Sequence, residues 1–253
     1  MRLQKQKGLV VHVFGFGEAD LIVWLFTESG NMLRFVAKGA RKTKSRFSAP
    51  VQQFVYGEYV LYYGKGLPYL RQADISRSFR NLRNDLQKCT ASFAILELCR
   101  LLVAEEAGEE SAFKLAKDYL ELLDSNPWSA MVFEGCRLQF LASLGYGLDF
   151  SVCARCYQSL AQGSLCPDSG GVICPECRGQ GEHLLWIRSD ILNILRRLSG
   201  TELNKLDKLS VTDQQARECS GIVDTLIFSL TEGKTKMQSF RNQILYPVCD
   251  DCP

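Results

Sequence analysis

Two pairs of cysteines constrain this chain more than any other feature of its sequence. Cys153 and Cys156 form one C-x2-C motif, Cys174 and Cys177 form a second, and 17 residues separate the two. Zn²⁺ prefers four soft ligands in a tetrahedron, and two thiolates on one tight turn can occupy two corners. The spacing therefore predicts one zinc ion with four cysteine ligands. Because four protein ligands leave no position for water, we predict a structural site and not a catalytic one.

Other residues with metal-binding side chains leave alternatives open. Cys166 is a rival fourth ligand, although no second cysteine accompanies it at the motif spacing. His183 is another candidate, although the two motifs already fill the coordination shell. Cys249 and Cys252 form a third C-x2-C motif, which cannot complete a tetrahedral site alone. We expect this last segment to be a solvated, partly disordered tail, and a transient disulfide or a second metal bridged between chains is the alternative.

The first part of the chain has the pattern of β-strands. Five segments are rich in β-branched and aromatic residues and are bounded by turn residues, namely 9–14, 19–27, 32–38, 54–63 and 67–75. No helical period separates them. A small closed barrel suits this number of strands because it leaves no exposed edge. We therefore predict an OB-fold-like β-barrel over residues 1–78, with an SH3-like barrel as the alternative.

After residue 78 the hydrophobic period changes to that of helices. Stripes such as Ile95, Leu98, Cys99 and Leu102 fall on one helix face. Asn126-Pro127 predicts a helix start, Gly145 a left-handed helix end, and Thr212 with Gln215 a capping box. The sequence thus predicts an α+β protein in which an α-helical domain over residues 79–253 follows the barrel. A zinc ribbon-like insert at about residues 150–180 interrupts that domain.

Positive charge is concentrated at the front of the chain, although the net charge is only +2. Residues 1–80 contain 13 Lys/Arg and 5 Asp/Glu, whereas the remainder contains 17 and 23. Phe35 and Phe47 flank the densest part and are candidates to stack on the bases of a single strand. Six cations lie within thirteen residues that contain no acid: Arg34, Lys38, Arg41, Lys42, Lys44 and Arg46. This segment predicts binding of a polyanion through its phosphates, and a solvated charged loop is the alternative.

Two stretches of the sequence together resemble the RecO family of recombination proteins. The first contains Gly17-Glu18-Ala19-Asp20 and the basic run from Ala37 to Arg46. The second leads from Phe140-Leu141-Ala142-Ser143-Leu144-Gly145-Tyr146 to the first cysteine motif, and then from Gly170-Gly171-Val172-Ile173 to the second. The resemblance covers most of the chain, and the two stretches are fairly specific in combination.

This resemblance implies an N-terminal OB-fold, a helical domain that follows it and a zinc site that some members of the family lack. It implies a mediator without catalytic activity that binds single- and double-stranded DNA and anneals complementary strands. It further implies action with RecR to load RecA onto DNA coated by single-strand-binding protein, whose acidic tail docks on the helical body. We expect a cytoplasmic protein, associated with the nucleoid when DNA is damaged, because the sequence shows no signal peptide and no membrane span.

Three other functions remain as alternatives from the sequence. A zinc-ribbon nucleic-acid-binding factor in transcription or RNA metabolism would bind through Arg155, Arg178 and their neighbours. A metal-dependent nuclease would use Glu18 and Asp20. An adaptor would bind an acidic protein segment through the basic run. The sequence contains no Walker motif and no nucleophile–base arrangement, which favours a protein that is not an enzyme.

Overall fold

The computed structural model describes residues 2–106, 108–179, 184–236 and 238–246. The chain divides into two compact units, one up to Asn126 and one from Pro127 onward. The first unit contains the strands of the predicted barrel, and the second contains the paired cysteine motifs. None of the helices in the described ranges is long and apolar enough to cross a membrane.

Five strands of the first unit close into a barrel in the order β1-β2-β3-β5-β4. They are β1 (Arg2–Phe16), β2 (Asp20–Thr27), β3 (Met32–Ala37), β4 (Tyr56–Tyr63) and β5 (Tyr69–Arg77). Neighbouring strands are antiparallel except β3 and β5, which close the barrel through a parallel pairing of Val36 with Tyr69. Because β1 pairs with both β2 and β4, the order is that of an OB-fold. The predicted OB-fold-like barrel is confirmed.

Strand β1 is longer than its sequence pattern indicated. It begins at Arg2 and not at Leu9, because its first half pairs with β4 while its second half pairs with β2. The register with β2 shifts between Val10 and His12, a bulge that lets one strand serve two neighbours. Ladder hydrogen bonds use backbone groups alone, so the mostly polar residues at 2–7 carried no strand signal.

The barrel core includes side chains from all five strands and from the segment between β3 and β4. Residues 38–55 of that segment form successive turns. The Tyr59 hydroxyl donates a hydrogen bond of 2.9 Å to the carbonyl oxygen of Pro50, which ties the segment to β4. The buried core cluster consists of Val10, Val23, Leu25, Phe35, Ala37, Ala40, Phe47, Val51, Tyr59, Leu61 and Leu70. The segment is therefore folded against the barrel and is not a free loop.

Two helices complete the first unit, α1 (Leu86–Leu102) and α2 (Glu110–Ser125). Phe26 faces away from the barrel core and meets Phe113 of α2 edge-on, with ring centroids 5.4 Å apart. Phe54 meets Phe93 of α1 at 4.6 Å. Through these contacts α1 and α2, which carry the predicted helical stripes, cover the outer face of the barrel. As a domain boundary, the division between residues 78 and 79 stays a prediction.

Within its described residues, the second unit contains four α-helices and a small sheet. The helices are α3 (Ala130–Leu141), α4 (Ser189–Gly200), α5 (Asp213–Leu230) and α6 (Gln238–Leu245). The sheet lies between α3 and α4 in sequence and consists of β6 (Gly163–Cys166), β7 (Gly171–Ile173) and β8 (Leu185–Ile187), in the order β7-β6-β8. The predicted fold class, a barrel followed by helices with a cysteine-rich insert, is confirmed.

The helix ends agree with the sequence at two positions and differ at one. Gly145 takes the left-handed conformation with φ of 86°, and Thr212 with Gln215 forms the predicted capping box. The predicted helix start at Asn126 is wrong, because its backbone N–H bonds to Leu122 and so terminates α2. Helix α3 starts later, with the Ser129 side chain as its cap.

A buried network of charges fixes the C-terminal helix of the second unit. Arg137 donates to the carboxylates of Glu134, at 2.8 Å, and of Asp224. Arg241 of α6 also donates to Asp224, and the Tyr246 hydroxyl donates to Glu134 at 2.6 Å. All five side chains are buried. Two acids and two arginines balance, which is the condition under which buried charges are tolerated.

Candidate nucleic-acid interface and metal centre

The basic segment from Arg34 to Arg46 leaves β3 and enters the turns that close one part of the barrel core. Its last five cations are exposed, namely Lys38, Arg41, Lys42, Lys44 and Arg46. In physiological salt, charges are screened over a length of roughly 8 Å. Neighbouring cations in one short segment therefore act on a polyanion together. The structure thus places positive charge on an exposed and ordered surface.

A carboxylate and a backbone contact hold this basic segment in place. Asp20 accepts a hydrogen bond from the backbone N–H of Gly39 at 2.7 Å, where Gly39 takes a positive φ of 65°. The backbone N–H of Arg41 donates to the carbonyl oxygen of Ala19 at 3.0 Å. Asp20, which the sequence raised as a nuclease carboxylate, therefore anchors the turn that begins the basic run. The segment is pre-organised by the loop between β1 and β2.

The two phenylalanines that the sequence suggested as base-stacking residues are buried inside the barrel. Phe35 is completely buried and Phe47 is 9% exposed, and both belong to the barrel core. Phe35 shares one face of β3 with Leu33 and Ala37, so the period of two already indicated an inward position. Neither ring can reach a base, so the predicted stacking by these two residues is wrong.

Arg34 differs from the other five cations of the segment. It lies within β3 and forms an ion pair of 2.6 Å with Glu105. Its guanidinium also lies 5.2 Å from the ring centre of Trp24 on the neighbouring strand β2. Because its charge is already balanced, it is less available to a phosphate than the exposed cations that follow.

The second unit brings four cysteines of the two C-x2-C motifs together. The sulfur atoms of Cys153, Cys156, Cys174 and Cys177 all lie within 4.8 Å of one another, and Cys156 and Cys174 are 3.8 Å apart. Four sulfurs at about 2.3 Å from one tetrahedral zinc ion would be separated by about 3.8 Å. The cluster therefore has the ligand atoms and the size to hold a metal ion. None of these four cysteines forms a disulfide.

Tight turns aim backbone N–H groups at the sulfur of Cys153. The N–H of Arg155 donates to this sulfur at 3.4 Å, and that of Cys174 at 3.3 Å. Burial raises the pKa of the Cys153 thiol, but hydrogen bonds from the backbone of Cys156, Cys174 and Arg155 outweigh it and bring the pKa to about 6. Donors of this kind stabilise a thiolate, which is the form that binds metals.

Arg155 joins the parts of the insert around the cluster. Its guanidinium donates to the carbonyl oxygen of Cys177 at 2.6 Å and to the Ser169 hydroxyl at 3.1 Å. It also lies 3.7 Å from the sulfur of Cys166. Cys166 is outside the group of four, and its sulfur is 3.0 Å from the Ser169 hydroxyl. His183, Cys249 and Cys252, the other candidates, lie outside the described residues.

Two family profiles cover the chain. Residues 1–79 match the profile described as Recombination protein O N terminal, and residues 83–237 match Recombination protein O C terminal. A protein of Clostridium perfringens (strain 13 / Type A) named DNA repair protein RecO is 31% identical over 93% of this chain and 96% of its own length. Proteins of the same name from Symbiobacterium thermophilum and Dehalococcoides mccartyi are 29% and 35% identical over 95% and 82% of this chain, and over 97% and 82% of their own lengths.

Proposed function

Because the chain belongs to the RecO family of DNA repair proteins, we propose that it is a recombination mediator without catalytic activity. In this proposal it binds single- and double-stranded DNA and anneals complementary strands. With RecR it helps to load RecA onto DNA coated by single-strand-binding protein, whose C-terminal tail it binds. It acts in the cytoplasm, at the nucleoid when DNA is damaged.

The observation that supports DNA binding is the exposed positive segment on the OB-fold-like barrel. The segment consists of Arg34, Lys38, Arg41, Lys42, Lys44 and Arg46, of which all but Arg34 are exposed. Lysine and arginine release counterions when they neutralise phosphates, and this contribution needs no particular base sequence. Two strands held on such a surface repel each other less, which is the physical basis that we propose for annealing.

We also propose that the four-cysteine cluster holds one zinc ion in a structural site. The ligands would be Cys153, Cys156, Cys174 and Cys177, and the ion would fix the two turns that carry them. The support is a set of four sulfurs that lie within 4.8 Å of one another, and backbone N–H groups donate to the sulfur of Cys153. With every corner of the tetrahedron filled by protein, the ion stabilises the fold and activates no water.

Fluorescence anisotropy with labelled single-stranded DNA tests the DNA-binding proposal. We compare the wild type with Arg41→Ala/Lys42→Ala/Lys44→Ala over a series of salt concentrations. Each phosphate contact contributes about 0.7 to the slope of log K against log salt for single strands, so loss of three contacts should make the slope shallower by about 2. The triple variant should also bind more weakly at low salt.

A matched triple variant controls for net charge. Arg197→Ala/Lys205→Ala/Lys208→Ala removes the same charge from exposed positions of the second unit. It should bind DNA nearly as the wild type does. If both triple variants lose affinity equally, binding follows net charge and not this segment. If the Arg41 variant binds as the wild type does, the DNA site lies elsewhere, and the insert around Arg155 becomes the place to test.

A further inference from the structure

Two tyrosines that the sequence pattern did not single out form a pair on the outer surface of the barrel. Tyr62 of β4 and Tyr69 of β5 are directly opposite each other in the antiparallel ladder. Direct partners share one face, with Cβ atoms about 4.5–5.5 Å apart. The adjacent residues Leu61 and Leu70 are in the barrel core, so the two tyrosines point outward. Both rings are partly exposed.

A positive side chain lies over each of these two rings. The Lys38 ammonium lies 4.3 Å from the ring centre of Tyr69, and the Arg71 guanidinium lies 5.0 Å from that of Tyr62. Arg46 donates to the carbonyl oxygen of Arg71 at 2.9 Å, which joins the basic segment to β5 at this point. Lys38, Arg46 and Arg71 are exposed. The sequence contains no acid between residues 59 and 73 or between residues 34 and 46.

Paired aromatic rings bordered by cations are suited to a strand whose bases are unpaired. Every base has a π-face that stacks on an aromatic ring whatever the sequence, and arginine adds a cation–π contribution. In a duplex both faces of each base are already stacked on neighbouring bases. A surface that offers rings and cations together therefore favours single strands, whereas cations alone bind both forms through phosphates.

We propose that Tyr62 and Tyr69 form a stacking platform for the bases of single-stranded DNA, while Lys38, Arg46 and Arg71 hold the adjacent phosphates. This inference rests on the proposed DNA binding by the basic segment and adds the surface of β4 and β5 to it. It also assigns different contributions to the two parts. The basic segment sets the salt dependence of binding, and the tyrosine platform sets the preference for single strands.

The test uses the full-length protein and oligonucleotides that contain 2-aminopurine, whose fluorescence is quenched when the base stacks. We compare the wild type with Tyr62→Leu/Tyr69→Leu, which keeps apolar volume on the strand face, and with Tyr62→Phe/Tyr69→Phe, which keeps the rings. The matched control is Ile75→Ala, an exposed residue farther along β5. Circular dichroism checks that each variant retains its fold.

The leucine variant should bind single-stranded DNA at least about 25-fold more weakly and should lose the quenching, since stacking on each of the two rings is worth roughly 5- to 150-fold in affinity. Its duplex affinity and its salt slope should stay within about twofold of the wild type, because no phosphate contact is removed. The phenylalanine variant and the Ile75→Ala control should both bind and quench as the wild type does.

Other results would overturn the platform without touching the basic segment. The platform is wrong if the leucine variant binds and quenches as the wild type does while the Arg41→Ala/Lys42→Ala/Lys44→Ala variant is weakened. It is also wrong if single strands and duplex are weakened equally, or if the phenylalanine variant fails like the leucine variant. Absence of salt-dependent DNA binding by the wild type itself would instead refute the proposed function. Preferential capture of an acidic peptide over single-stranded DNA would assign the surface to a protein partner.

Discussion

The buried charge network of the second unit gives the sharpest prediction on stability. Arg137 contacts both Glu134 and Asp224, and it is completely buried. Replacement Arg137→Met keeps much of the side-chain volume and removes the charge. Two acids and one arginine then remain, so one negative charge is left without compensation in the protein interior. Breaking a buried ion pair from one side costs about 3–5 kcal/mol of unfolding free energy.

Hydrogen bonds that remain after the replacement place the expected loss of unfolding free energy near the lower end of this range. Asp224 still accepts hydrogen bonds from Arg241, and Glu134 still accepts one from Tyr246. We therefore expect Arg137→Met to lower the unfolding free energy by about 3 kcal/mol. Adding Glu134→Gln restores neutrality, because Asp224 and Arg241 then balance. The double variant Arg137→Met/Glu134→Gln should be more stable than Arg137→Met alone.

The same network predicts how the penalty depends on pH. Burial raises the pKa of Asp224, but the positive charges of Arg137 and Arg241 lower this pKa by a larger amount. The pKa of Asp224 in the folded state therefore lies below its ordinary value. Such a group stabilises the fold above its ordinary pKa, and the contribution is lost as the pH falls through the folded pKa. Without Arg137 this lowering shrinks. The stability difference between the wild type and Arg137→Met should therefore stay nearly constant from about pH 7 to about pH 5 and narrow as the pH falls below the ordinary Asp pKa of about 4.

Urea unfolding followed by tryptophan fluorescence measures these differences. Trp128 and Trp186 lie in the second unit, and a Trp24→Phe background removes the signal of the barrel. Lys205→Met is the control, because it removes an exposed pair with Glu202 and should change little. A loss below about 1 kcal/mol for Arg137→Met, or a double variant less stable than the single one, would refute the reasoning, since the expected loss is about 3 kcal/mol.

Three further predictions concern the metal cluster and the basic segment. Chelation of zinc, or Cys174→Ser, should lower the Tm of the second unit, whereas Cys166→Ser should leave metal content unchanged, as measured by metal analysis and calorimetry. Asp20→Ala should loosen the anchored turn and weaken single-stranded DNA binding several-fold in anisotropy, with the salt slope unchanged because no cation is lost. Arg34→Met should weaken DNA binding less than Lys42→Met, because its charge is already paired.

Each of these predictions has an outcome that contradicts it. Unchanged melting after complete removal of the metal would exclude a structural contribution of the ion. Wild-type affinity of Asp20→Ala would show that the turn needs no carboxylate anchor. Equal losses for Arg34→Met and Lys42→Met would show that the ion pair with Glu105 opens when DNA binds.

The sequence by itself determined those features that depend on residues close together along the chain. The spacing of the C-x2-C motifs already defined which four cysteines meet, because each tight turn presents two sulfurs on one side. The capping box of Thr212 and Gln215 spans a single helical turn, and Gly145 needed only its own φ. The density of cations between Arg34 and Arg46 is likewise a local property. The family resemblance rested on these same local runs.

Only the tertiary structure decided which side of each element is covered and which distant groups meet. The sequence places Phe47 in a loop, but in the structure its side chain is buried in the barrel core. Tyr62 and Tyr69 became a pair because the strand order places β4 beside β5, and Arg71 lies over the Tyr62 ring beside a shift in that register. Arg137 and Asp224 have opposite charges, but each charge could have been balanced by many other residues of the chain. The sequence alone therefore did not indicate that these two residues pair. Burial and long-range pairing depend on the whole chain at once, so no local pattern could define them.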